Sequence, residues 1–126
     1  SKPSILSAFT NQVIHFLTEL TQLYPQDNDL TMGLEAVTFL KKTNPKLILT
    51  GFKEYVYPQK QNILQKNETE FFKMSTFTNI MSIHPSILEF IKNMQKYWKS
   101  FSTNTKDKIW LYFAVMIKLI EKYESQ

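Results

Sequence analysis

Five lysines, Lys92, Lys96, Lys99, Lys106 and Lys108, fall in one seventeen-residue segment against a single acid, Asp107. The rest of the chain is neutral: residues 1–91 carry eight lysines and eight acids, and residues 109–126 carry two of each. The whole formal charge of +4 therefore sits between residues 92 and 108. Lys92, Lys96 and Lys99 share a helix face and Lys106 and Lys108 follow after a turn, a ridge able to track a phosphate backbone without reading sequence. The bland alternative is a solvated face of an amphipathic helix. All fifteen basic residues are lysine. Without arginine the chain lacks the planar fork that pairs with guanine edges, so base-specific reading is disfavoured while nonspecific phosphate binding is untouched. A lysine-only chain rich in Asn, Ile and Phe is also what an AT-rich genome encodes.

Other chemistry finds little footing. His15 lies on the polar side of a helix and His84 precedes a proline, and neither has a histidine or cysteine at i+3 or i+4 of the kind used in zinc sites. No serine sits in a nucleophile elbow. Gly33 and Gly51, the two glycines, cannot build a phosphate loop. Glu19, Glu35, Glu54 and Glu89 could meet as paired carboxylates only through the fold. With no cysteine, thiol nucleophiles, disulfides and Cys-ligated metals are excluded, which suits a reducing compartment. Asn67-Glu68-Thr69 matches a glycosylation sequon, but the first residues lack a basic-then-apolar leader pattern, so it reads as chance. Neither an enzyme nor a cofactor is expected.

The elements that must position these residues are helices. Hydrophobic residues make up 43% and glycines number two, a composition that favours a compact helical domain over a turn-rich sandwich. Ile5, Leu6, Phe9, Val13, Phe16, Leu17 and Leu20 line one stripe of a first helix, which Pro25 ends. Asp27, Asn28 or Asp29 caps a second helix carrying Leu30, Leu34, Val37 and Leu40, and Asn44-Pro45 opens a third that runs to Pro58. A short continuation passes through Ile63 and Leu64. Asn67 and Glu70 have capping spacing before a short fourth helix, and residues 75 to 82 read as a loop. His84-Pro85 opens a fifth helix, with Ile83 and Leu88 at staple spacing and Ile87, Phe90, Ile91, Met94, Tyr97, Trp98 and Phe101 on one side. Ser102 to Asn104 cap the last helix. The expectation is an all-α, compact bundle of five or six helices in a single domain over residues 1–126, with the first, fifth and last helices as main core.

The last helix places nine uncharged residues, Ile109 to Ile117, between Lys108 and Lys118. A membrane span needs about twenty apolar residues, so no membrane insertion is expected. On a helical wheel its apolar residues cover roughly 220°, wider than the stripe a surface helix buries. Two arrangements satisfy this: the helix is central and covered on two sides, or one side is covered by the chain and the other by a partner or a second copy, with Trp110, Tyr112, Val115 and Leu119 at that interface. The aromatics Tyr97, Trp98, Phe101, Trp110 and Tyr112 likewise have two readings, a core hinge between the last two helices or a base-stacking platform.

The Phe9 to Tyr24 helix with its Tyr24-Pro25-x-Asp27 end, the Lys41-Lys42-x-Asn44-Pro45 junction, the Asn67 to Phe72 segment and the Lys106-Asp107-Lys108-Ile109-Trp110 helix start resemble a group of small proteins of nucleocytoplasmic large DNA viruses, the giant viruses. These are helix-end and core patterns, and the resemblance implies no reaction. It implies a virion component or host-directed interaction module, intracellular in the host cytoplasm or held in the virion. The leading expectation is a noncatalytic protein-interaction or structural module, and the alternative is nonspecific nucleic-acid binding through the lysine ridge.

Overall fold

The computed structural model describes residues 1–73 and 93–126. Among them every regular element is a helix: α1 (Lys2–Leu23), α2 (Asn28–Thr43), α3 (Pro45–Tyr55), a 3₁₀ turn (Tyr57–Gln59), α4 (Lys60–Leu64), α5 (Glu68–Phe71), α6 over residues 93–98, and α7 (Thr103–Glu124). The all-α expectation is met. The expected loop over 75–82, the helix opening at His84-Pro85, and Lys92 lie outside the described residues.

Local signals account for most boundaries. The Asp27 carboxylate accepts from the Leu30 amide, Asn67 from the Glu70 amide and Ser102 from the Thr105 amide, each satisfying a donor that a helix start leaves open. Asn44 stands at the start of α3 without a side-chain bond, and Pro45 carries that start instead. The end of α4 is a Schellman motif: the Asn67 amide donates to the Asn62 carbonyl at 2.8 Å and the Lys66 amide to Ile63 at 3.1 Å. It places Lys66 at φ 53°, the left-handed region that glycine favours, and no spacing in the sequence announces this.

The core is built around α7. Phe9, Val13, Phe16, Leu17 and Leu20 of α1 meet Ile109, Phe113, Met116, Ile117 and Ile120 of α7, all buried. The two helices run antiparallel, since Phe16 packs on Phe113 at 5.2 Å while the Lys2 ammonium lies over the Tyr123 ring at 4.7 Å. A second side of α7 is covered by α4 and α5. Lys60 pairs with Glu121 at 2.6 Å and Lys66 with Asp107 at 3.2 Å, which again sets the chains antiparallel, and Phe71 lies edge-on to Trp110 at 5.4 Å. Phe52 brings α3 onto Phe9 at 5.6 Å. Of the two arrangements open to the last helix, the structure has the central one.

The second helix is different. It buries only Leu30, with Leu34, Val37 and Leu40 half-covered against the core. Gly33 in its middle has open space where a side chain would begin. Gly33→Ala is expected to raise stability by about 0.5–1 kcal/mol, the helix-propensity difference, whereas Phe16→Ala, which empties a fully packed site, is expected to cost about 3–5 kcal/mol. Urea denaturation of the two variants checks both signs.

Candidate functional site

Among the described residues four carboxylates each accept a hydrogen bond from an aromatic donor far away in sequence. The Tyr97 hydroxyl donates to Asp27, Trp98 Nε1 to Glu68 at 2.6 Å, the Tyr112 hydroxyl to Glu19 at 2.8 Å, and the Tyr57 hydroxyl to Glu121 at 2.7 Å. These bonds tie α6 to the start of α2, α6 to α5, α7 to α1, and the 3₁₀ turn to α7. Around Asp27 the clasp is densest: Tyr97 stacks on Tyr24 at 3.7 Å, the Tyr24 hydroxyl meets Ser100 at 2.9 Å, and Asn93 donates to Asp29 at 3.0 Å. An open depression of about 300 Å³ beside this clasp is lined by Leu23, Tyr24, Pro25, Gln26, Asp27 and Tyr97. A second depression, of about 400 Å³, is lined by Glu68, Thr69, Phe72, Gln95, Trp98 and Lys99.

The electrostatics follow from these contacts. The bond to Asp27, with burial adding to it, pushes Tyr97 up to about 12. Burial and the bond to Glu19 do the same for Tyr112, also to about 12. Burial works to raise the Asp27 carboxyl, but the Tyr97 hydroxyl, the amides of Leu30 and Asp29 and the charge of Lys96 outweigh it and hold it below its ordinary value. Lys60 and then Tyr57 hold Glu121 low in the same way. These are structural pairings: each ionised acid is satisfied by a donor that is itself fixed by packing. No group of three or more His, Asp or Glu able to hold a metal ion occurs among the described residues.

The lysine ridge is divided by the fold. Lys96, Lys99 and Lys108 are exposed, and Lys92 lies outside the described residues. Lys106 is taken up internally: its ammonium stands 3.5 Å from the Glu68 carboxylate and 5.4 Å above the Trp98 ring. Asp107 pairs with Lys66. The aromatics near the ridge form the core hinge, not a platform, because Trp98 and Trp110 are buried edge-to-face at 5.0 Å with Phe72 and Phe101 closing around Trp98.

The expected partner face on α7 is largely used by the chain itself. Trp110 is 4% exposed, so it offers no surface and belongs to the core, pinned by Phe71 and Trp98. Tyr112 and Leu119 are half-buried against the core, and Val115 is half-buried. Leu111 is the residue of α7 that stands out, at 64% exposure, with the lysines 108 and 118 near it on the helix surface. No helix among the described residues is long and apolar enough to cross a membrane.

Periodicity passed over the larger apolar exposure, which is on α2. Met32 and Phe39 are 65% and 66% exposed and stand seven residues apart. At 100° per residue they point opposite to Leu30, Leu34 and Val37, with Glu35 and Lys42 on the same outer side. The signal was present as two large apolar residues off the core stripe, but it is faint beside the nine-residue apolar run of α7. A scan of protein-family models, a search of curated proteins and a search of solved structures found nothing that matches this chain.

The clasps predict a pH profile. The Tyr97 and Tyr112 bonds stabilise the fold fully below the ordinary tyrosine value of 10.0 and are lost as pH rises toward about 12. The Asp27 contribution is present above the ordinary value of 3.8 and is lost as pH falls through the lower folded value. The urea midpoint should therefore be flat between pH of roughly 5 and 9 and fall on both sides. A Tyr97→Phe, Tyr112→Phe double variant should show a shallower alkaline fall. An alkaline limb of unchanged steepness would show that these two hydroxyls do not carry it.

Proposed function

We propose that this chain is a noncatalytic protein-interaction or structural module that docks through the outer side of α2. The observation that carries the reading is the pair Met32 and Phe39, two large apolar side chains left in water on one face of α2, which among its described residues buries only Leu30. Burying two such side chains gains about 1.5–3 kcal/mol each when a partner covers them, and their present exposure forgoes that gain. Single exposed apolar residues are ordinary; two on one helical stripe, rimmed by Glu35 and Lys42, have the make-up of an interface centre with a charged edge. The resemblance noted above extends the reading to a component of a large DNA virus, acting in the host cytoplasm or within the virion.

Nonspecific binding to a phosphate backbone stands second, because Lys106 is engaged by Glu68 and Trp98. Through the exposed Lys96, Lys99 and Lys108 the salt slope on duplex DNA would be about −2.7 in log–log form.

The deciding experiment compares wild type with a Met32→Lys, Phe39→Glu variant in affinity capture from cells that produce the protein. Both positions face solvent, so the variant should keep the helical circular dichroism of the wild type. A bound protein retained at least about tenfold better by wild type supports the α2 surface. Equal retention by both overturns it, and loss of that protein on Leu111→Glu instead would move the surface to α7.

A further inference from the structure

The outer face of α2 reads as self-complementary. On that face Glu35 stands midway along the helix and Lys42 in the last turn, whereas Asp29, bonded to Asn93, and Lys41, on the side of Leu30 and Leu34, lie off it. Neither Glu35 nor Lys42 takes part in an ion pair among the described residues. A face with an acid nearer one end and a base nearer the other matches a second copy of itself when the two helices run antiparallel about a two-fold axis, because the acid of each copy then meets the base of the other.

Charge also selects the register. An axis at Glu35 would set two carboxylates against each other. An axis at Phe39 sets the two Phe39 rings together and places Glu35 of one chain within one residue of Lys42 of the other, on both sides of the axis. The rings can pack offset or edge-to-face, and the two ion pairs close their rim. Extent decides the strength: in this register residues 35–43 of the two α2 helices overlap over about 13 Å, with Met32 opposite residue 46 beyond the end of the helix, and such a face covers far less than the roughly 800 Å² per partner of a permanent interface. The association it supports is weak and concentration-dependent.

We infer that the occupant of the α2 face is a second copy of this chain, paired antiparallel across Phe39 with reciprocal Glu35–Lys42 ion pairs. This rests on the α2 docking reading and names its partner. Sedimentation from roughly 10 μM to 1 mM spans the range of an interface this small. The wild-type weight-average mass should climb from 14.9 kDa toward twice that value, and Phe39→Glu should stay at 14.9 kDa throughout. Glu35→Lys alone and Lys42→Glu alone should each weaken association at least about fivefold, since each sets like charges together twice. Glu35→Lys with Lys42→Glu in the same chain should restore it, and mixing the two single variants should give a heterodimer tighter than either homodimer. A wild type that remains at 14.9 kDa up to 1 mM, or single variants that associate as well as wild type, overturns the inference. A monomeric wild type that still captures a partner through Met32 and Phe39 would leave the docking reading standing and dismiss self-pairing alone.

Discussion

The apolar breadth of α7 is the constraint on which the rest of this structure depends. A helix with apolar side chains over roughly 220° cannot be satisfied by one neighbour, because a single packed helix covers a stripe only slightly wider than 100°. The chain meets this by laying α1 antiparallel along one side and the α4–α5 stretch along another. Met116, Ile117 and Ile120 are consequently sealed almost completely. The short α4 and α5 are too brief to be stable alone, and they persist because Ile63 and Phe71 are pressed into the same core.

Hydrogen bonds between carboxylates and aromatic donors finish what packing begins. Each of the four joins separate elements, and each puts its polar atoms at the edge of the core, where the aromatic body is buried, as for Trp98, or half-buried, as for the three tyrosines, and the acid remains partly in water. Asp27 shows the economy of the device. One oxygen caps α2 through the Leu30 amide and the other receives the Tyr97 hydroxyl, so the start of α2 and the position of α6 are set by the same residue. Among the described residues no buried side-chain nitrogen or oxygen is left without a partner.

Covering α7 from within leaves α2 at the margin, held by Leu30 and a few half-buried side chains while Met32 and Phe39 face water. The same economy reshapes the lysine ridge. Lys106 turns inward to Glu68 and Trp98, Asp107 is held by Lys66 and Lys96 lies over the Tyr97 ring, so a linear run of charge becomes a mixture of structural pairs and exposed cations.

Much of the fold was legible because it is written in short-range terms. Pro25, Asn44-Pro45, Asn67 and Ser102 mark helix ends through dihedral restriction and donor satisfaction, and the apolar spacing of α1 and α7 marks their core faces; these effects act over a few residues, so sequence by itself determines them. Which neighbours would occupy the two sides of α7 was not legible, since a periodic apolar face shows that burial is needed without showing by what. For that reason Trp110, a partner contact on spacing alone, became a core residue once Phe71 and Trp98 closed over it. The pairing of Glu19 with Tyr112 across 93 residues, the left-handed Lys66 and the exposure of Met32 and Phe39 were likewise decided only by tertiary structure. Each depends on how separate helices are placed in space, and that placement is settled by the summed packing of the whole core and not by any local run of residues.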